Sequence, residues 1–238
     1  MIAMRAATAR WLMFLLVSLV TVAVEAEEYT MNIGEAAVRF PMDGRYVPFC
    51  SNPRAAAALE KTFPKTMRVV QCFFTVDSVN QMKRGLRSED ELMIVVAMSE
   101  EFGSRPLTQE QWTKKKLVIE SAMPREGAQA EVSRPESTGN PINAMVGDGS
   151  STEHVFDETP LSVSIEEQEN EVLAGRNHVT LLADVIADNR MIMILAVRSY
   201  AKGNRSEVVS SLKKEFAQLV ARTVALNPSD LGTVHTAR

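Results

Sequence analysis

Cys50 and Cys72 are the only cysteines of the chain, and a thiol can bridge, bind a metal or attack a substrate. They are too far apart for the Cys-x-x-Cys pattern of a redox pair. A disulfide between them would close a loop of about 20 residues and contribute about 3 kcal/mol to stability. Two interpretations stay open: a disulfide, which the even count favours in an oxidising compartment, and two buried thiols acting as small apolar residues.

The histidines offer a second set of candidate groups. A nucleophilic pair would join Cys50 or Cys72 to His154 or His178, but it requires a free, activated thiol, which burial and oxidation both oppose. His178 begins an apolar strand, where a structural histidine is the ordinary interpretation, and His235 lies close to the C-terminus. We therefore assign no catalytic residue.

Acidic residues could ligate a cation in two places, but neither group has the spacing of a known metal motif. The first group is Asp148, Glu153, His154 and Asp157. The second is Glu166, Glu167, Glu169 and Glu171. We expect the first to be a solvated loop and the second to be a charged sheet edge that discourages edge-to-edge pairing. No metal and no other cofactor is predicted.

Lys114, Lys115 and Lys116 follow Trp112 on a predicted helix. Three consecutive lysines spread around most of a helix, so we expect solubilising charge rather than a focused basic stripe. The chain has 30 acidic and 26 basic side chains, a net charge of −4. This balance argues against nucleic acid or an anionic membrane surface as the main partner.

Common catalytic motifs are missing from the sequence. It has no nucleophile elbow G-x-S-x-G, no zinc motif H-E-x-x-H and no glycine-rich phosphate loop. Because many active sites are assembled from distant residues, a hydrolase-type enzyme with a dispersed site stays an alternative. We favour a non-enzymatic module.

The N-terminus has the pattern of a secretory signal peptide. Arg5 and Arg10 precede the uncharged run Trp11–Val24, and Val24-Glu25-Ala26 supplies a small-residue cleavage site. The apolar run would span about 21 Å as a helix, less than the hydrocarbon core of a bilayer. We expect cleavage after Ala26 and a periplasmic or secreted protein. The alternative is that Trp11–Val24 is retained as a membrane anchor.

The first half of the remaining chain predicts alternating strands and helices. Residues 27–49 are expected to hold a lead-in and an extended pair, Ala37–Phe40 and Tyr46–Phe49, around a turn. Asn52 and Pro53 are typical of a helix start. In the strand Met67–Val76, alternate residues from Val70 are apolar, which places Cys72 on the buried face. The apolar run Leu92–Met98 indicates a central strand covered on both sides.

A capping box at Thr108 and Gln111 starts a helix that reaches about Ala122. Its expected apolar stripe is Trp112, Ile119 and Met123, with Leu117 and Val118 beside it. Residues 124–160 are rich in proline and glycine and predict a long loop, functional or disordered, with short strands near 130–133 and 154–156.

The last part of the chain predicts strands and one long helix. Leu161, Val163 and Ile165 alternate with Ser162 and Ser164, as on a strand with one apolar face. His178–Ala187 and Met191–Tyr200 form a hairpin through Asp188-Asn189-Arg190. Asn204 and Glu207 have cap spacing before a helix that stops at Asn227, and 228–238 is expected to be a flexible tail.

These elements predict one α+β domain over 27–227. Its sheet is largely antiparallel with helices packed on it, in an α/β/α sandwich-like arrangement.

The chain resembles small exported bacterial proteins of the PsbP/Mog1-like type. The resemblance rests on the opening strand around Val38-Arg39-Phe40-Pro41, the capped helix Thr108–Ala122 and the block His178–Asn227, and it covers most of 35–227 as an order of elements. It implies a binding or assembly module and carries over no catalytic residue. We therefore expect a protein or another envelope component as the partner, with the 124–160 loop as one place for it to bind.

Overall fold

A computed structural model describes the protein at residues 28–61, 63, 65–84, 92–103, 105–123, 125, 152–168, 172–173, 176–200 and 204–232. The predicted signal peptide at 1–26 lies outside these residues, as do the possible strand at 130–133 and most of the predicted 124–160 loop. In the part of the chain so described, no helix is both long and apolar enough to cross a membrane.

The strands of the described chain are β1 Glu28–Ile33, β2 Ala36–Pro41, β3 Tyr46–Pro48, β4 Met67–Thr75, β5 Leu92–Ser99, β6 Thr152–Thr159, β7 Ser162–Gln168, β8 Val172–Leu173, β9 Arg176–Ala187 and β10 Arg190–Tyr200. The helices are α1 Pro53–Glu60, α2 Val76–Lys83, α3 Glu100–Gly103, α4 Gln109–Ala122 and α5 Arg205–Leu226, followed by a 3₁₀ turn at Asp230–Gly232.

The strands form one large sheet and one separate hairpin. The large sheet has the order β3-β4-β5-β10-β9-β7-β6, and β8 also pairs with β9. Every neighbouring pair is antiparallel, and β1 pairs with β2 alone. The predicted α+β class with a largely antiparallel sheet is confirmed.

Both faces of the large sheet are covered. α5 and the β1–β2 hairpin bury Phe40, Phe73 and Phe216 on one face. α1 and α4 cover the other face, where Cys72 and Trp112 are buried. The predicted arrangement of helices on a central sheet is therefore confirmed, and β5 is apolar because it meets a packed layer on each side.

Two local predictions hold in detail. The Thr108 hydroxyl accepts from the Gln111 N–H at 3.2 Å, and the Gln111 side chain accepts from the Thr108 N–H at 2.9 Å. β9 and β10 are joined by Asp188 and Asn189, whose φ angles of 49° and 57° match a two-residue hairpin turn. Arg190 already belongs to β10.

The predicted stripe of α4 is confirmed: Trp112 and Ile119 are buried, and Met123 packs on the same core. Leu117 and Val118, expected beside the stripe, are exposed at 60% and 59%. These two residues point away from the sheet because α4 lies as an outer layer with one face in solvent.

The predicted cap of α5 is wrong in its chemistry, although the helix is where we expect it. Asn204 directly precedes Arg205, but its side chain makes no capping hydrogen bond. Val209, Leu212, Phe216 and Val220 form the buried stripe. Helix α5 is therefore held by packing of this stripe rather than by its cap.

The predicted extended pair is corrected. β2 and β3 do not pair with each other: β2 pairs with β1, and β3 pairs with β4 in the large sheet. The lead-in is itself a strand, because Tyr29, Met31 and Ile33 alternate with polar residues and its side chains pack on the core. The turn at Asp43 thus carries the chain from one layer to the other.

A β-bulge between Val69 and Gln71 changes the predicted alternation of β4. Cys72 is buried as expected, with Val69 and Phe74 on the α4 side of the sheet. Val70, which the simple alternation places beside Cys72, instead packs on the α5 side. The extra residue of a bulge shifts the face of every residue before it.

Two expectations for the middle of the chain are corrected. The short strand expected near 154–156 is confirmed, but it is longer than expected: residues 152–159, otherwise assigned to the long loop, all belong to strand β6 because they pair with β7. The described part of the acidic run, Glu166 and Glu167, does not lie at a sheet edge. Glu166 and Glu167 lie on β7, which is paired with β6 on one side and β9 on the other.

The predicted flexible tail is corrected at its start. The Ser229 hydroxyl donates to Asn189 Oδ1 at 2.5 Å, the Asp230 N–H donates to the same oxygen at 3.2 Å, and Leu231 packs on the α4-side core. These contacts hold 229–231 against the β9–β10 turn. Residues 233–238 lie outside the described chain.

Candidate functional site

A cleft opens between α5, the sheet and the β2–β3 turn; we call it the α5 cleft. Its apolar floor consists of Leu92, Ile94, Ala196, Phe216 and Leu219. Of the lining residues, β10 contributes Ala196, whose side chain is a single methyl group. The cleft is partly open to solvent, and the space within it is about 90 Å³. That is smaller than an apolar cavity of about 150 Å³ known to hold benzene, so the cleft suits a group the size of one apolar side chain.

The rim of the α5 cleft is polar and comes from two segments distant in sequence. Its members are Asp43, Arg45, Tyr46, Glu215, Gln218 and Arg222. The first three lie in the β2–β3 turn and at the start of β3, and the last three lie on α5 at helical spacing. An apolar floor with a rim of charges suits an amphipathic ligand.

The turn side of the rim is preorganised. Asp43 accepts from the backbone N–H of Arg45 at 3.0 Å and from its guanidinium at 2.7 and 2.8 Å. The Asp43 carbonyl accepts from the Tyr46 N–H at 3.1 Å. The Arg45 guanidinium also lies 5.6 Å from the centre of the Tyr46 ring. These bonds fix the turn and hold all three rim groups in place.

The pKa values of Asp43 and Tyr46 on the turn side of the rim are shifted further from neutral pH. Burial alone would raise the pKa of Asp43, but hydrogen bonds from Arg45 and the charges of Arg45 and Arg222 outweigh it and lower that pKa below its usual 3.8. Burial raises the pKa of Tyr46 above 10.0. The hydrogen bond to Asp43 raises the pKa of Arg45. At neutral pH the carboxylate stays ionised and the phenol stays neutral, whereas a general acid or base works best near the operating pH.

The helix side supplies one acid and one base on the same face. Glu215 and Arg222 are seven residues apart, about 10 Å along the helix axis. The Ser211 hydroxyl donates to Glu215 at 3.2 Å. Arg222 lies close enough to Asp43 to affect its pKa. With the Asp43–Arg45 pair, the rim carries two positive and two negative charges and is balanced overall.

The two cysteines form a disulfide between β4 and the segment after β3, with the sulfurs 2.06 Å apart. The disulfide that the sequence left open is thus present, and the alternatives of buried thiols and of a Cys–His nucleophile are wrong, because neither sulfur is a free thiol. The bridge fixes β3, and with it Tyr46, against β4.

The histidines do not meet. His154 lies on β6 and His178 on β9, with β7 between them, and His154 is level with Leu181 rather than with His178, so the two are more than two strand spacings, about 10 Å, apart. His235 and Asp148 lie outside the described residues. Among the residues the structure describes, no group of His, Cys, Asp and Glu is arranged to hold a metal.

The lysine run is not only solubilising charge, which corrects that expectation. Lys115 pairs with Asp184 at 3.2 Å, and Lys116 forms an ion pair with Glu158. Arg125 also contacts Glu158 at 2.7 Å. Two of the three lysines therefore tie α4 to β6 and β9.

The rim residues of the α5 cleft escaped the sequence reasoning. Asp43 belongs to a stretch interpreted only as a turn, and the pattern of the last helix was assigned from its apolar positions, without Glu215 or Arg222. One usable signal was present: Glu215, Gln218 and Arg222 share one helical face next to the apolar stripe. Nothing in the sequence connects that face to Asp43 and Arg45.

A scan against protein-family models found no match for this chain, and a search of curated proteins found none either. The resemblance to PsbP/Mog1-like proteins therefore stays a prediction based on element order.

Proposed function

We propose that this chain is an exported, non-enzymatic binding module of the cell envelope, and that the α5 cleft holds its partner. The observation that carries the proposal is the combination of an apolar floor of side-chain size with a rim whose charges are already balanced and positioned. Such a site can bind without chemical change, since Asp43 and Tyr46 keep one protonation state across the neutral range.

Export is the second part of the proposal. It is supported by the signal-peptide pattern at 1–26 and by the Cys50–Cys72 disulfide, which is the kind of bond that persists in an oxidising compartment. A periplasmic or secreted location follows if the segment is removed. Intact-mass measurement of the exported protein tests this point: a chain starting at Glu27 supports it, and an intact Trp11–Val24 run contradicts it.

Site-specific photo-crosslinking in the producing cell tests the role of the cleft. A photoreactive amino acid replaces Gln218 on the rim, and a matched variant carries it at Lys114, an exposed helix position on the other side of the sheet. We expect a discrete adduct from position 218 and none from position 114. Equal adducts from both positions, or none from 218, would contradict binding at the cleft.

A substrate panel tests the non-enzymatic part. The purified exported chain is assayed against generic esters, peptides and glycosides. Turnover that is abolished by Asp43→Asn or Glu215→Gln would show a catalytic cleft and overturn the proposal.

A further inference from the structure

We infer that the occupant of the α5 cleft is an extended protein segment that presents one bulky apolar side chain, with a basic residue two positions to one side and an acidic residue two positions to the other. This rests on the proposed function and names the ligand class of the same site.

The size of the cleft selects a single anchor. About 90 Å³ of space beside Phe216 and Leu219 is room for one leucine- or phenylalanine-sized group. Burial of such a group is favourable by roughly the transfer free energy of one apolar side chain. The cleft is open to solvent above its floor, so a chain can enter and leave while its anchor stays buried.

The charges of the rim favour a ligand that carries both a positive and a negative group. Asp43 and Arg45 are hydrogen-bonded to each other, whereas Glu215 and Arg222 are left to pair with a partner; the charge of Arg222 also reaches Asp43, and that of Glu215 reaches Arg45. A free anion such as a fatty acid meets Glu215 as well as Arg222, so the balanced rim gives it no net attraction.

The distance between Glu215 and Arg222 determines where the two charges of the ligand should lie relative to its apolar anchor. The two are about 10 Å apart along α5. In an extended segment, the residues two positions before and after the anchor lie on the same face of the segment as the anchor, about 13 Å apart. Their flexible side chains easily make up the difference from the roughly 10 Å that separates Glu215 from Arg222. Residues one position from the anchor point away. A base near Glu215 and an acid near Arg222 therefore fit the rim, with the anchor between them.

Selection from a display library of random heptapeptides, with the full exported chain as bait, tests this inference. We expect enrichment of a bulky apolar residue flanked at two positions by lysine or arginine on one side and by aspartate or glutamate on the other. With Arg222→Glu as bait, the acidic flank should be replaced by a basic one. Lys114→Glu, an equal charge change on the opposite layer, should leave the selected pattern unchanged.

Fluorescence polarisation with one serine-based heptapeptide of this pattern gives the magnitudes. Replacing its leucine anchor by serine should weaken binding more than tenfold. Moving both charges next to the anchor should weaken it about two- to fivefold, as should Arg222→Glu.

Other results overturn the inference. Enrichment without the charge pattern, the same pattern from Arg222→Glu, or no enrichment at all would each do so. Free leucine or octanoate binding as tightly as the peptide would show a small-molecule cleft. Any of these results, together with a discrete adduct from position 218, would leave the proposed binding function standing; loss of that adduct would remove both.

Discussion

The side-chain amide of Asn227 pairs with both backbone groups of Arg39. Asn227 Oδ1 accepts from the Arg39 N–H at 2.7 Å, and Asn227 Nδ2 donates to the Arg39 carbonyl oxygen at 2.6 Å. The same nitrogen donates to the Thr223 carbonyl at 2.7 Å. One buried side chain thus ends α5 and takes the place of a neighbouring strand beside β2, on the side that β1 leaves unpaired.

Asn227→Ala should therefore destabilise the protein by about 1–3 kcal/mol, because it leaves the Arg39 N–H and carbonyl without these partners. Urea unfolding measures the change. Asn80→Ala, at an exposed position on α2, serves as the matched control and should have little effect. Equal stability of the two variants would show that the Asn227–Arg39 pairing contributes nothing.

Removal of the disulfide should cost about 3 kcal/mol, since the bridge restricts a loop of about 20 residues in the unfolded chain. The double variant Cys50→Ala/Cys72→Ala is compared with the unchanged protein by urea unfolding without reductant. Both proteins are then unfolded in dithiothreitol, where the difference should become small. A difference that persists at full size under reduction would mean that side-chain packing, not the bridge, is responsible.

Glu158 should make stability fall in acid. The hydrogen bond from Lys116 lowers the pKa of Glu158 below its usual 4.5, against the opposing effect of burial. A lowered folded-state pKa stabilises the protein fully above the unfolded value, and this contribution is lost as the pH falls through the folded value. Glu158→Gln should therefore flatten the decline in melting temperature below about pH 4.5.

The control for this pH profile is Glu35→Gln, which changes an exposed carboxyl in the β1–β2 turn. Its profile should follow that of the unchanged protein. If Glu158→Gln keeps the full acid decline, the Lys116–Glu158 pair does not contribute to it.

Asn189 should matter through both its backbone and its side chain. Its φ of 57° disfavours alanine, and its Oδ1 accepts from Ser229 and Asp230. Asn189→Gly keeps the backbone freedom and loses only the side-chain bonds, so it should be more stable than Asn189→Ala by about 1 kcal/mol. In both variants, hydrogen exchange at the Asp230 amide should accelerate. Equal unfolding free energies would show that the backbone conformation costs alanine nothing.

Predictions succeeded where all the interacting groups lie within a few residues of each other in the sequence. The capping box of Thr108 and Gln111 and the turn at Asp188 and Asn189 lie within four residues, so their hydrogen bonds form wherever the segment packs. The expectation for Asn204 failed because cap spacing is not enough when the backbone at the cap takes another conformation. The face of Val70 was missed because a bulge depends on the partner strand, not on β4 alone.

The sequence by itself determined the class of the fold, the central place of β5, the long final helix and a cysteine pair for which bridging was the favoured reading, since apolar periodicity and residue type act over short distances. Only the tertiary structure decided that β2 and β3 belong to different layers, and that the disulfide forms. It also decided that Asp43 and Arg45 face Glu215 and Arg222 across one cleft. These residues are more than 160 positions apart. Their proximity follows from how α5 and the hairpin stack on the sheet, which burial of the shared core around Phe40 and Phe216 fixes.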